Sequence, residues 1–354
     1  MSLGQVGLNH LYFGGPSFRR RRQEADDSYY LDAPGYRSDH AADAYAQRFS
    51  HTDFHYDVDI RKNLHENLAA KSPAELLQMA QIAAPLLEKT PHFDQALLAA
   101  TPDTAAARRK LTDALVDVQV QALQDVTLHA LTAEQASVAP LSVSIDKYRR
   151  YTGIQHDVAT FVTDEAKHAE IFRRYLKQTL GQPMIGNNEA NKRFGQFKFA
   201  ARRTNHQVEA AVVLLALSVE TIGGSFFEFF AQKAPDPLFR EMCAKIAGID
   251  EQRHMAICQY IYNALYRVPE GGGLRQEAQR RIEKTRNDTV FAILRLGIYK
   301  QYTLPDFPLV RACRAFGVNP QELFDYIGNR LAENYAKIGY YPAADKTKVH
   351  LEQA

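Results

Sequence analysis

Residues 164–171 read DEAKHAEI, and residues 250–257 read DEQRHMAI. Both segments have the form D-E-x-x-H-x-x-I and lie about 86 positions apart, which indicates an internal repeat. The same offset links Glu134 in the first half to Glu220 in the second. Each half of the repeat therefore contains one glutamate and then, after a gap, Glu-x-x-His.

The gap in the second half predicts a helical hairpin. Two residues on antiparallel helices lie level only when both are equally far from the turn that joins the helices. The segment Pro235-Asp236-Pro237, a strong helix breaker, lies halfway between Glu220 and Glu251. We therefore expect these two glutamates to face each other.

The first half predicts a second hairpin. Arg149-Arg150-Tyr151, followed by Gly153, lies halfway between Glu134 and Glu165. We expect Glu134 to face Glu165 across this turn. Pro140 lies between Glu134 and the turn, and we expect it to kink or interrupt the helix.

The candidate ligands lie on apolar helix faces, because residues three or four apart share one face of a helix. These faces comprise Phe161, Glu165, His168 and Phe172; Ala247, Glu251, His254 and Cys258; and, around Glu220, Val213, Ala216, Leu217, Gly223, Gly224 and Phe227. Burying four carboxylates without a counter-charge is costly, and two divalent cations would balance them. The sequence thus predicts a two-metal site with the ligands Glu134, Glu165, His168, Glu220, Glu251 and His254.

Carboxylate-rich sites with one imidazole per metal suit iron or manganese better than structural zinc. We expect two iron ions, with manganese or a mixed iron–manganese pair as the alternative. Asp164 and Asp250 directly precede the motif glutamates, and we expect them to accept hydrogen bonds from the ligand histidines. Two other interpretations stay open. The first is that Asp164 and Asp250 are ordinary aspartates on the helix surface. The second is that the whole protein is a purely structural helical bundle with degenerate ligands.

The rest of the sequence predicts an all-α protein. Ser72-Pro73-Ala74-Glu75 is a capping-box helix start, Asn319-Pro320 another helix start, and apolar stripes at helical spacing run through 111–122, 155–180, 204–232 and 239–267. We expect little regular structure in residues 1–70. The predicted units are an irregular N-terminal arm plus a helix (1–103), a four-helix bundle (104–268) and C-terminal helices (274–354).

Composition excludes several classes of protein. A hydrophobic share of 45% and a charged share of 24% are ordinary for a soluble domain, and a net charge of +2 is not the basic field of a nucleic-acid-binding protein. The three cysteines lack C-x-x-C spacing, which argues against a thiolate zinc site and favours a reducing cytoplasm. No apolar run reaches the roughly 18 residues of a membrane span. We expect a cytoplasmic protein with no membrane or nucleic-acid partner.

The repeat resembles that of the ferritin-like di-iron carboxylate proteins, whose bundles supply one glutamate from each of two helices and Glu-x-x-His from the other two. The resemblance covers about residues 104–268. It implies a ferritin-like four-helix bundle with an N-terminal extension and additional C-terminal helices, in which a di-iron centre activates dioxygen. This family includes bacterial monooxygenases, acyl-carrier desaturases, arylamine N-oxygenases, ribonucleotide reductase small subunits and rubrerythrins.

Two single positions distinguish this chain from particular classes within the family. Ribonucleotide reductase small subunits carry a radical tyrosine four residues after the first motif histidine, where this chain has Phe172. Arylamine N-oxygenases have similar glutamate spacing but add a histidine one turn before the second motif glutamate, where this chain has Ala247. Ferritins and rubrerythrins are much shorter than this chain, so its length within the resemblance favours an oxygenase or desaturase that oxidises an apolar or aromatic small molecule by hydroxylation, N-oxygenation or desaturation. An unidentified electron donor is then required.

Small residues beside Glu220 suggest where a substrate would bind. Gly223 and Gly224 leave room on its helix face, and Phe227 and Phe172 could line an apolar pocket there. Equally, the glycines could permit close helix packing, with the phenylalanines as core. The alternative function is a metal-storing or metal-oxidising ferritin- or rubrerythrin-like protein without an organic substrate. The sequence leaves a homodimer open.

Overall fold

The computed structural model describes residues 49–91, 93–148, 151–182, 206–269, 272–294 and 304–341. Within these ranges the regular structure is helical and includes no strand, which confirms the all-α prediction. The α-helices are α1 (Ile60–Ala69), α2 (Pro73–Leu87), α3 (Ala105–Lys147), α4 (Thr152–Arg174), α5 (His206–Lys233), α6 (Pro237–Lys245), α7 (Gln252–Ile261), α8 (Leu274–Leu294), α9 (Pro308–Ala315) and α10 (Pro320–Lys337). Most of the predicted N-terminal arm lies outside the described residues.

Helices α3 and α4 pack side by side as the first predicted hairpin. The Thr104 hydroxyl caps α3 by accepting the Ala107 N–H at 3.1 Å. Helix α3 then runs through Pro140 to Lys147, so the expected interruption does not occur. A proline removes only one N–H from the helical ladder, and packing against α4 stabilises the remainder.

The second hairpin turns where the sequence predicted it. Helix α5 ends at Lys233, and the Asp236 side chain caps α6 by accepting the Phe239 N–H at 2.8 Å. From α6 the chain stays helical through a π-helical segment, Ile246–Glu251, into α7 and a second π-helical segment, Tyr262–Tyr266. Helix α5 packs along α6, the first π segment and α7, and α7 also contacts α4. The two hairpins are thereby brought together.

Helix α1 corrects part of the expectation that residues 1–70 have little regular structure. The Asp59 side chain caps this helix by accepting the Lys62 N–H at 3.0 Å. Ile60, Leu64 and Leu68 recur every four residues and are buried. This short stripe gives α1 a face to pack on α3, as α2 and α9 also do, whereas α8 and α10 pack on α5.

The predicted helix starts at Ser72 and Asn319 are confirmed. Ser72 and Glu75 form a capping box, in which the Glu75 N–H reaches Ser72 Oγ at 3.3 Å and the Ser72 N–H reaches Glu75 Oε2 at 2.7 Å. Asn319 caps α10 by accepting the Gln321 N–H at 3.0 Å. Both caps satisfy backbone donors that a helix leaves free.

Helix α5 also corrects the expectation about apolar runs. Its segment Glu209–Lys233 is long and apolar enough to cross a membrane by length and composition. However, 67% of its most apolar window is buried inside the protein, and the segment contains Glu220. The core helix of a soluble protein passes the same test, so the segment is only weak evidence for a membrane span.

Candidate metal centre

The six predicted ligands lie together in the interior, each at most 6% exposed. Helix α3 supplies one, α4 two, α5 one, and the π segment and α7 one each. They form two groups within which all the ligand atoms lie within 4.8 Å of one another. The four-residue position comprises Glu165, Glu220, Glu251 and His254; the three-residue position comprises Glu134, Glu165 and His168.

Both histidines direct Nδ1 into this cluster. His254 Nδ1 lies 3.2 Å from Glu220 Oε2 and 3.3 Å from Glu165 Oε1. His168 Nδ1 lies 3.3 Å from Glu134 Oε2 and 3.9 Å from Glu251 Oε1. One imidazole therefore serves each position, and Glu165 belongs to both.

The two aspartates hold the histidines in a crossed arrangement. His168 Nε2 donates to Asp250 Oδ2 at 2.9 Å, and His254 Nε2 donates to Asp164 Oδ2 at 3.5 Å. Each aspartate thus comes from the motif of the opposite half. Because an ionised carboxylate only accepts hydrogen bonds, Nε2 carries the proton and Nδ1 is the nitrogen available to a metal.

An outer layer of opposite charge surrounds these aspartates. Lys167 and Arg253 each form ion pairs with both Asp164 and Asp250. The Phe49 ring lies over Lys167, with Nζ 4.1 Å from its centroid. The roles of Lys167 and Arg253 were not predicted from the sequence, although both motifs share the form D-E-x-[K/R]-H, with a basic residue before the histidine. The outer layer is electrically balanced, with two negative and two positive side chains.

The inner glutamates Glu165, Glu220 and Glu251, unlike the outer aspartates, have raised pKa values. Burial raises the pKa of Glu165 and of Glu220 well above the usual range, and the charges of neighbouring glutamates raise both further. Burial, followed by the charge of Glu134, raises the pKa of Glu251 to about 8. Without a cation these groups therefore favour protons, which a bound metal would displace.

The surroundings raise the pKa of His168 and lower the pKa values of His254 and Asp164. Burial lowers the pKa of His168, but the charge of Glu134 and the hydrogen bond to Asp250 outweigh it and raise the pKa to about 10. Burial lowers the pKa of His254 to about 4, against the opposing hydrogen bond to Asp164. Burial also works against ionisation of Asp164, yet the bond to His254 and the Arg253 charge hold its pKa well below the usual range.

Two carboxylate oxygens show that the cluster fits cations. Among the described residues, Glu165 Oε1 and Glu251 Oε2 are buried and find no hydrogen-bond donor. Buried polar atoms in proteins nearly always have a partner, so two such oxygens at the centre of a ligand cluster call for one. Four carboxylates and two imidazoles are a donor set that suits two divalent cations.

Ser137 and Asn334 were not anticipated from the sequence. Ser137 Oγ lies 2.5 Å from Glu165 Oε2. Asn334, on α10, donates to Thr221 Oγ1 at 3.1 Å and to Met255 Sδ at 3.0 Å. Neither residue belongs to the repeated motif, so only the tertiary structure identifies their contacts.

The four predicted pocket residues are mostly packed. Phe172 and Phe227 stack on each other, with ring centroids 5.6 Å apart. A Cβ added at Gly224 would lie 3.1 Å from the Glu251 Cβ, so this glycine permits close helix packing. A Cβ added at Gly223 would meet no atom within 4 Å. Of the two glycines, only Gly223 leaves space.

Comparisons with known proteins identify no relative of this chain. No protein-family model matches it, and neither a curated protein nor a solved structure does. Its function must therefore be inferred from the geometry of its own residues.

Proposed function

We propose that this chain is a ferritin-like di-iron oxidoreductase. In this proposal α3, α4, α5 and the α6–α7 segment form the four-helix bundle, and two iron ions bind at the four-residue and three-residue positions. Dioxygen is the co-substrate, an external donor supplies electrons, and an apolar or aromatic small molecule is oxidised. The observation that carries the proposal is the buried cluster of six ligand side chains.

The charge balance supports two divalent ions. Lys167 and Arg253 already neutralise Asp164 and Asp250, so they leave nothing over for the glutamates inside. Four buried carboxylates then require about four positive charges, or protons in their place. Two divalent cations supply that charge and use the Nδ1 atoms that the crossed aspartates aim inward.

The donor set favours a redox-active metal. Oxygen-rich sites with one imidazole per ion suit iron or manganese, and a bound iron pair supplies the electrons that reduce dioxygen. The chain contributes a dry, apolar surrounding, in which the Phe161 ring stacks on His254 at a centroid distance of 3.8 Å. Exclusion of water protects a reactive centre from side reactions.

A second candidate is a metal-storing or metal-oxidising protein without an organic substrate. The stacked pair Phe172–Phe227 and the close contact at Gly224 favour it, because these predicted pocket residues fill space themselves. Metal analysis and oxygen uptake separate the two candidates. We expect two irons per chain and, with an electron donor and a panel of aromatic and aliphatic compounds, oxygen uptake that continues beyond one oxidation of the bound iron. Uptake that stops at that point with every compound would favour storage.

Two ligand variants test the site itself. Glu251→Ala and His168→Ala should lose stoichiometric iron while keeping the helical circular dichroism of the parent. His156→Ala is the matched control, because His156 is an exposed histidine on the same helix as His168. Parental iron content in either ligand variant would contradict the proposed ligand set.

A further inference from the structure

We infer that the two metal positions are unequal: the four-residue position fills first, and the contact of Ser137 with Glu165 contributes to this order. The inference rests on the proposed two-metal site, but it does not require dioxygen chemistry. Three features of the described residues carry it.

The first feature is the distribution of ligands. The four-residue position gathers three carboxylates and one imidazole, whereas the three-residue position gathers two carboxylates and one imidazole. Each additional anionic oxygen within reach of a divalent cation strengthens its binding. The richer position should therefore hold the first ion.

The second feature is the contact between Ser137 and Glu165. The Ser137 hydroxyl lies 2.5 Å from Glu165 Oε2 and 2.7 Å from the backbone oxygen of Glu134. The other oxygen, Glu165 Oε1, lies 3.3 Å from His254 Nδ1. Holding Oε2 at the serine thus directs the free oxygen of a first-half glutamate to the histidine of the second half.

The repeat itself shows that this contact is one-sided. The offset that relates Glu134 to Glu220 relates Ser137 to Gly223, which has no hydroxyl. Accordingly, Glu251 Oε2 makes no hydrogen bond, and space is open at Gly223. Glu251 Oε1 approaches His168 Nδ1 of the first half only to 3.9 Å, whereas Glu165 Oε1 lies 3.3 Å from His254 Nδ1 of the second.

The third feature is a brace behind the four-residue position. Asn334 of α10 bonds Thr221 and Met255, the residues that follow Glu220 and His254. Asn334 is 1% exposed, and its Oδ1 also accepts from Gln259 Nε2 at 3.0 Å. The repeat counterparts of its two partners are exposed Gln135 and apolar Ala169. Pre-organised ligands bind a cation with less ordering cost.

The consequence is a chain that loads its cations stepwise. A first divalent ion occupies the four-residue position, and a second ion completes the three-residue position with the shared Glu165. Two different cations offered in turn would then form a mixed pair.

Anaerobic titration of the metal-free, full-length protein with Mn²⁺ tests the order, because the electron paramagnetic resonance signal of free Mn²⁺ reports each binding step. The parent should show two steps whose dissociation constants differ by at least about tenfold, the lower limit for a supporting contact around a metal. Glu220→Gln should abolish the tight step. Glu134→Gln should abolish the weak step and keep one tightly bound ion.

Ser137→Ala tests the role of the hydroxyl. This substitution should reduce the ratio of the two dissociation constants by about tenfold. The control is Ser142→Ala, since Ser142 is exposed on the same helix and donates to the Val138 carbonyl at 2.7 Å.

Several outcomes would overturn the inference. Two equal steps in the parent, loss of the tight step in Glu134→Gln, or an unchanged ratio in Ser137→Ala would each do so. Absence of any Mn²⁺ binding would remove both this inference and the proposed site. Stepwise binding in a protein whose iron form does not react with dioxygen would support the order of filling and contradict the oxidoreductase.

Discussion

The two hairpins that supply the candidate metal ligands contain the same pattern of side chains in different surroundings. Each half provides a lone glutamate, a Glu-x-x-His pair and an aspartate that reaches the other half's histidine. Within the described part of the chain, a serine contacts the motif glutamate in the first half alone, whereas the second half alone has a π-helical segment ending at its motif glutamate and a brace from α10. A sequence repeat therefore duplicates donor atoms without making the two positions equivalent.

The largest expected effect comes from the crossed aspartates. Asp250 holds His168 at 2.9 Å, whereas the Asp164–His254 contact is 3.5 Å. Asp250→Asn should weaken the metal at the three-residue position by about 10- to 100-fold, and Asp164→Asn should weaken the four-residue position by less. Mn²⁺ titration of both variants measures the difference. A greater loss in Asp164→Asn would reverse the comparison.

Both substitutions should also lower stability, by about 3 kcal/mol, since each leaves Lys167 and Arg253 with one buried carboxylate instead of two. Chemical denaturation of the metal-free proteins provides this control. Similar stability losses alongside unequal affinity losses would show that histidine orientation, rather than folding, separates the two halves.

The next effect is the pH dependence of the metal-free protein. Folding raises the pKa of Glu251 to about 8 and that of His168 to about 10, so the folded state holds protons that the unfolded state releases. The free energy of unfolding should therefore fall as pH rises from about 6.5 to 8, by roughly 2 kcal/mol for each fully titrating group. Calorimetry at both pH values checks this.

Bound metal should remove most of that dependence, because the cation replaces the protons on the ligands. Loaded and metal-free protein should consequently differ more in melting temperature at pH 8 than at pH 6.5. A metal-free protein that becomes more stable over this interval would show that the inner carboxylates are not the groups that titrate.

The smallest effect compares two adjacent glycines in the second half. Gly224→Ala places a methyl group 3.1 Å from the Glu251 Cβ and should cost about 1 kcal/mol of stability, together with some metal affinity. Gly223→Ala meets no atom within 4 Å and should be neutral or slightly stabilising, because alanine favours helix. Equal effects of the two substitutions would contradict the close approach of α5 to Glu251.

Much of this arrangement is predictable from the sequence because helical geometry is periodic. Residues three apart share a face, and equal distances from a turn place Glu220 level with Glu251, so spacing alone predicted which side chains would meet. The interruption considered at Pro140 does not occur, because packing against α4 outweighs the loss of one backbone hydrogen bond. It also missed α1, because a ten-residue helix has too short an apolar stripe to stand out.

By itself, the sequence determined the helical class, the repeat, the turn between α5 and α6, and the identities of the candidate ligands. Only the tertiary structure decided that the aspartates cross between halves, that Lys167 and Arg253 balance them, and that Ser137 contacts Glu165 while Asn334 contacts Thr221 and Met255. The physical reason is that helix periodicity is a local property, readable along the chain. Contacts such as that of Asn334 with Thr221 join residues from helices far apart in sequence, and they depend on how whole helices pack.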